Sequence, residues 1–503
     1  MLLMGVDCGN TAIKAAIFDE AGTTIAVAAR KTGVICPAPG HVEQDMNQLW
    51  ASAAAAMREA LHRSGRNPRE IGAIGVTAHG DGVYLADRAG KPLGNGILSV
   101  DSRAFDVVEG WRREERLDRA EALIAQRPYP YAATALLAWI KRHRPEQYAA
   151  IGHVMFCKDW VRARLTGVFA TDPTDASTAF TNPHNQSYEP LILELLDLKE
   201  IAGALAPIHA ICGPIGKVTD EAAGLAGVLP GTPVTGGLHD VTASAVGLGS
   251  LEPGVLSVTA GTFSINEVLS STLITDPRWS ARAGLKPGQW MNMSISPASA
   301  NNIDWFLEQA YRLELGASER SGVPVWTLID DDLNRSVAAD DPLFHPFLYG
   351  SPYAEPASAG FFGLRSWHDR DHMLRAVIEG AIFNHHTHAL ALGSAFDLNR
   401  AAVTGGGSSA PRFAQLFADV LGLPVDIPLA KEVGALGVAI AAGVGVGAYP
   451  SLEAGVARAC RVAARYQPNA ERHAASAARY QRYAAIVEAL RPIWSGGPRG
   501  SAG

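Results

Sequence analysis

Asp7-Cys8-Gly9-Asn10-Thr11, with Lys14 shortly after, brings a carboxylate, a bare backbone and hydroxyl donors together near the start of the chain. Glycine lets backbone amides approach an anion, and an aspartate suits a hard, oxygen-seeking cation such as Mg2+, so this string can clamp phosphate and metal. The same residues also make an ordinary Asp-Gly turn with a solvated lysine. Thr259-Ala260-Gly261-Thr262 is a second candidate clamp and, by itself, equally a tight turn. Further on, Gly405-Gly406-Gly407-Ser408-Ser409 follows an apolar run. Three glycines clear side chains from where a ribose or phosphate must come close, and a helix start beyond them offers unpaired amides. A loose loop with Ser408 or Ser409 as helix cap explains the string as well. Neither a Walker A sequence nor a GxGxxG after the first strand is present. Asp240, at the end of Gly236-Gly237-Leu238-His239-Asp240, has two readings, a helix cap or a general base that takes a proton from a hydroxyl.

These residues need elements to position them. Leu2 to Val6, Ala15 to Phe18 and the turn at Asp19 to Gly22 predict a strand meander, and Val255 to Val258 with Phe263 to Val268 predict a second one. The repeated opening suggests two related domains with a seam near residues 245 to 253, and Asp240 falls at that seam, where ligand clefts tend to form. Helices are predicted at Asn47 to His62, Thr134 to His143, Asp371 to Leu392 and Arg412 to Leu421. In the last, Phe413, Leu416, Phe417, Val420 and Leu421 make one apolar face. Strands alternate with helices, the pattern of an α/β protein. The expected division is residues 1–245, residues 246–494 and a mobile glycine-rich tail at 495–503.

A chain of 503 residues is more than one core usually organises. The net charge of -7 offers no basic field for nucleic acid. Five scattered cysteines, Cys8, Cys36, Cys157, Cys212 and Cys460, include no CxxC pair, which argues for reduced thiols rather than a disulfide frame or a zinc site. No signal peptide is read at the start, and apolar stretches such as Ala435 to Val446 are too short for a membrane span. A cytoplasmic protein is expected.

Several longer strings, in order along the chain, carry a resemblance. Ala359, Phe361, Gly363, Leu364, His372, Met373, Ala376, Val377, Ile378 and Glu379 match a signature at each required position. Before it come Gly40 to Asp45, Asp101-Ser102-Arg103, Lys158-Asp159-Trp160 and Thr171 to Ser177. The sequence resembles the FGGY family of carbohydrate kinases over nearly its whole length. Tyr131 to Arg142 departs from the family's other signature, lacking a lysine near Thr134 and Ala135.

The resemblance implies two actin-like (ribonuclease H-like) domains of the sugar kinase, Hsp70 and actin superfamily around an interdomain cleft, with ATP and Mg2+ as cofactors. It makes Asp7 the metal-linked aspartate, Gly9, Asn10, Thr11, Lys14, Gly261 and Thr262 the phosphate hairpins, and Gly405, Gly406, Gly407 and Ser408 the adenosine loop. Asp240 becomes the catalytic base, and His79, Asp81, Asp101 and Arg103 the sugar contacts. Without the resemblance, His79 reads as a satisfied core histidine and Asp101 with Arg103 as a surface ion pair. Glu379 has a bracing role as its alternative. The partner implied is a small sugar or polyol, with a pentulose such as L-xylulose nearest in pattern, and a homodimer is an allowable assembly. An erythritol or other polyol kinase, a non-catalytic sugar or ATP sensor, and a chaperone-like ATPase are the competing readings.

Overall fold

In the computed structural model, which describes residues 1–330, 333, 340–353 and 355–496, both expected meanders are present. The first is Leu2–Cys8 (β1), Ala12–Asp19 (β2) and Thr24–Lys31 (β3). β1 is buried from Leu2 through Val6, as a continuous apolar strand covered on both faces must be. Ile71–Ala78 (β4), Pro214–Lys217 (β5), Pro233–Thr235 (β6) and Leu238–His239 (β7) complete the sheet. Its order is β3-β2-β1-β4-β6-β5, with β7 also paired to β4.

The second sheet holds Val255–Ala260 (β8), Ser264–Ser270 (β9), Ser280–Ala283 (β10), Trp290–Ser296 (β11), Arg400–Gly405 (β12), Val425–Pro428 (β13) and Val462–Tyr466 (β14). It runs β10-β11-β9-β8-β12-β13-β14. Each sheet goes from an antiparallel meander to two parallel neighbours and an antiparallel edge. The internal repeat suggested by two glycine turns is thus a repeat of whole topology.

Met46–Ser64 (α1), Cys157–Thr166 (α2), Asp240–Gly247 (α3), Arg370–Gly393 (α4), Pro411–Leu421 (α5), Val433–Gly445 (α6) and Ala470–Gly496 (α7) are the helices that bear on the site. Asp45 caps α1 by accepting the Gln48 amide at 2.7 Å, and Gly65 ends it in the left-handed region. α7 runs to Gly496, so Ser495 and Gly496 are helical where a tail was expected. Trp494 anchors this end in the core, and the rest of the expected tail lies outside the described residues. All five cysteines are free.

α6 comes late in the chain yet lies against the first sheet. A Cβ on Gly5 would sit 1.9 Å from the Ala435 carbonyl oxygen, and one on Gly75 2.3 Å from that of Val438. α6 meets α3 as closely, with 1.9 Å from Gly437 to the Ala243 carbonyl and from Gly247 to that of Val433. Backbone touches backbone here, and only glycine leaves room.

Gly5→Ala and Gly437→Ala should each cost about 1–3 kcal/mol or more, the usual penalty of overpacking. Gly33→Ala, at an exposed position with nothing within 4 Å, should be close to neutral. Urea unfolding of the three variants measures this, and equal midpoints would remove the contact as a constraint.

Candidate active site

Strands β1, β4, β7, β8 and β12 all end at one cleft. Their C-terminal ends deliver Asp7, His79, His239 with Asp240, Gly261 and Gly405, which is where ligands bind in parallel α/β sheets. The β1–β2 turn closes with the Gly9 amide donating to Ala12 O at 3.0 Å, and leaves Thr11 exposed. Thr262 is exposed at the matching turn of the second sheet. Asp7 stands opposite Lys14 in register, and Lys14 is paired with Glu432 at 2.8 Å. Burial and the charge of Asp240 push the Asp7 carboxyl up to about 7. An acid held at that value by desolvation and a like charge fits a divalent cation, which would favour its ionised form.

At Gly261 an added Cβ would meet only Thr259 Cγ2, at 3.8 Å. At Gly407 it would lie 3.0 Å from Trp326 Cζ2 and 3.2 Å from Phe413 Cδ2. The glycine loop is therefore pressed against aromatic rings. Neither Ser408 nor Ser409 caps the next helix. α5 begins with Pro411 after Ala410, which makes no side-chain cap, and the Ser408 hydroxyl donates to Gly405 O at 2.8 Å within the turn.

Asp240 is the first residue of α3, with His239 in the cap position, and its Oδ1 accepts the Val241 amide at 2.8 Å. Its side chain remains 34% exposed, open to a ligand. It lies at a cavity lined by Asn10, His79, Asp81 and Tyr131 from the first half of the chain and by Phe263, Ile265, Ser280, Arg282, Met293 and Ile295 from the second. His79 Nε2 lies 3.2 Å from the Tyr84 hydroxyl, while buried Nδ1 has no partner, and burial lowers its pKa. Asp81 holds a left-handed backbone at φ 57°, in a turn continued by Gly82.

Asp101 and Arg103 do not line this cavity. The guanidinium of Arg103 donates to Asp101 at 2.8–3.0 Å and pairs with Glu43 at 2.8 Å, while Asp101 accepts the Val42 amide at 2.6 Å. Both are buried, so the surface-pair reading fails too, and their charges brace the loop that bears Ser99. Glu379 is likewise a brace, accepting from Arg479 of α7 at 2.5 and 2.9 Å.

Arg282, on β10, reaches across from the second sheet to Asp81 at 3.2 Å and to His239 Nε2 at 3.2 Å. Glu267 on β9 is buried nearby and pushed up to about 8 by that burial. Behind the cleft Lys158 lies fully buried, bonded to Asp175 and 2.7 Å from Asp172, with Asp159 bonded to Arg162. Asp159, Asp172 and Asp175 are close enough to share a metal ion, but the Lys158 ammonium already occupies their midst. The sequence reading assigned no role to Arg282, His239 or Glu267. A lone arginine or glutamate within small or apolar strand residues was the signal available.

Two sheets of one topology that meet at a cleft, with an acid at a helix start and paired hairpin turns, define a protein of the actin-like class. Residues 2–247 match the N-terminal domain of the FGGY family of carbohydrate kinases and residues 256–446 its C-terminal domain, and the chain belongs to that family. It is a carbohydrate kinase. The L-xylulose/3-keto-L-gulonate kinase of Escherichia coli (strain K12) is 33% identical over 97% of both chains. The probable L-xylulose kinase of Pasteurella multocida (strain Pm70) is 33% identical over 97% of this chain and 99% of its own. The crystal structure of xylulose kinase from Rhodospirillum rubrum superposes with a TM-score of 0.87 at 27% identity, covering 98% of this chain and 100% of that one.

Lys158→Met should cost about 3–5 kcal/mol, because buried Asp172 and Asp175 lose the cation bonded to them. Burial works against the Asp175 charge, but Lys158 and His239 hold its pKa below the ordinary carboxylate range. The stability it confers is present above about pH 4 and lost as pH falls. Urea unfolding across pH 3 to 7 should therefore show a flatter acid limb in the variant than in the parent.

Proposed function

We propose that this carbohydrate kinase transfers the γ-phosphoryl of ATP to a terminal hydroxyl of a small linear ketose, a pentulose such as L-xylulose, with Asp240 as general base. The observation that carries it is the partly exposed carboxylate of Asp240 at a cavity whose lining mixes polar and apolar side chains. A linear sugar offers both hydroxyls and C–H surface to such a lining. The names of the Escherichia coli and Pasteurella multocida relatives support the pentulose.

In this reading residues 1–245 supply sugar contacts and base, and residues 246–494 the nucleotide side, in a cytoplasmic enzyme. His79 and Asp81 hold hydroxyls, the unpartnered Nδ1 of His79 being a ready partner. Gly9 to Thr11, Lys14, Gly261 and Thr262 position phosphates, and Gly405 to Ser408 the adenosine. Asp7 would hold Mg2+, which supplies charge neutralisation to the phosphates when bound. Asp240 takes the proton of the attacking hydroxyl, and the rest of the catalysis is positioning and electrostatics. A second reading, a linear sugar acid of the kind in the Escherichia coli relative's name, is favoured by Arg282, the one lysine or arginine among the cavity-lining residues.

Sugar-dependent ADP release across four- to six-carbon ketoses, polyols and sugar acids tests both readings. A pentulose should give the highest kcat/KM, and no turnover with any of them would sink the proposal. Asp240→Asn should lower turnover by about 10² to 10⁴ fold while melting and ATP affinity stay near the parent. Gly261→Val should melt like the parent, since its Cβ meets almost nothing, yet raise KM for ATP.

A further inference from the structure

We propose that His239, held by Asp175, is the second acceptor of the proton that Asp240 takes from the sugar, so that the base of this kinase is a histidine–aspartate pair rather than a lone carboxylate. The inference rests on Asp240 being the base, and goes one residue further.

The geometry is a carboxylate, an imidazole and a second carboxylate in line. His239 Nδ1 lies 2.8 Å from Asp175 Oδ1, so Nδ1–H donates to a carboxylate held ionised by Lys158. That fixes the tautomer and turns the lone pair of Nε2 toward the cleft. Nε2 is 3.3 Å from Asp240 Oδ1 and 3.2 Å from Arg282 Nη1, which donates to it in this structure. The ring has little freedom to turn. A Cβ on Gly80 would sit 1.6 Å from His239 Cε1, and the His239 amide is bonded to the Thr174 hydroxyl at 2.8 Å.

The charged and titratable groups around the ring come from five elements. Asp175 belongs to the turn at Pro173–Ala176, Asp240 to α3, His79 follows β4, Arg282 is on β10 and Glu267 on β9. Burial works against an imidazolium here, but the Asp175 hydrogen bond and the charges of Asp240 and Asp175 outweigh it and hold the pKa above the ordinary histidine value.

The step balances. The sugar O–H bond breaks as its oxygen bonds the γ-phosphorus and ADP leaves, and the proton goes to a carboxylate oxygen of Asp240. It then passes from that oxygen to Nε2, restoring the Asp240 carboxylate and leaving an imidazolium paired with Asp175. Water takes the proton after the products leave. A carboxylate alone is a weak base for an alcohol. Handing the proton to a group of higher pKa makes the transfer more favourable.

His239→Gln keeps a donor for Asp175 but accepts no proton. It should lower kcat about tenfold or more with KM for sugar and ATP nearly unchanged. The neutral imidazole is the working form, so kcat of the parent should rise with pH through a pKa above the usual histidine value, and the variant should lose that limb. In an Asp240→Asn background the same change should have no further effect, because His239 acts only through Asp240. A limb that persists in His239→Gln, or effects that multiply in the double variant, would overturn the pair. A direct reading on the parent covers a variant that fails to fold. Nitrogen NMR of the enzyme with sugar and a nonhydrolysable ATP analogue should show Nδ1–H and a bare Nε2 at pH 8, charging at a pKa above 6.5. A ring still charged at pH 8, or still neutral at pH 5, refutes the proposal. Asp240→Asn at parent turnover would instead fell the base assignment itself.

Discussion

The contact on which the rest depends is the meeting of bare backbones where α6 lies on β1 and β4 and crosses α3. Glycine at Gly5, Gly75, Gly247 and Gly437 lets carbonyl oxygens come where a methyl group would collide. The consequence is positional. α3 begins at Asp240 and α6 begins beside Asp7, since a Cβ on Gly434 would lie 3.0 Å from Asp7 Oδ2. Glu432, just before α6, takes the Lys14 ammonium. A helix from the end of the second half thus packs against the strand that ends at Asp7 and beside the turn that follows it, joining the two halves there.

Burying charge is costly, and the cleft handles that cost in two ways. Behind it, Lys158 and Arg162 neutralise Asp159, Asp172 and Asp175 in a sealed cluster. Near it, burial holds Asp7 and Glu267 far above ordinary carboxyl values, and the cations close by, Lys14 for Asp7 and Arg282 for Glu267, only partly offset it. The first arrangement makes an anchor that reaches the cleft through His239.

Most of the frame was legible in the sequence because its signals are local. The apolar face of Phe413, Leu416, Phe417, Val420 and Leu421 is that of α5, and the helix expected at Asp371 to Leu392 is α4 extended by one residue at each end. Glycine turns marked both hairpins, since φ and close approach are properties of single residues. What was not legible depends on contacts between distant segments. Nothing near Arg282 says that it will meet Asp81, some 201 positions earlier. The resemblance made Asp101 and Arg103 sugar contacts, and without it they read as a surface ion pair. Glu43, brought in by the fold, completes a triad that uses them structurally instead.

The Asp81–Arg282 link then bears on what the cavity can accept. The acid and the guanidinium satisfy each other across the cleft, and a molecule that enters between them must replace that bond on both sides or leave a buried charge unpaired. A hydroxyl can donate to the aspartate and accept from the arginine through one oxygen. An apolar ligand can do neither, and a cation could satisfy only Asp81. Adjacent hydroxyls on a linear carbon chain meet both demands, while Phe263, Ile265, Met293 and Ile295 cover the chain's C–H face. In the proposed reading a charge pair that spans the two halves therefore favours a polyhydroxy substrate, and a substrate that breaks it draws on the guanidinium that also touches His239.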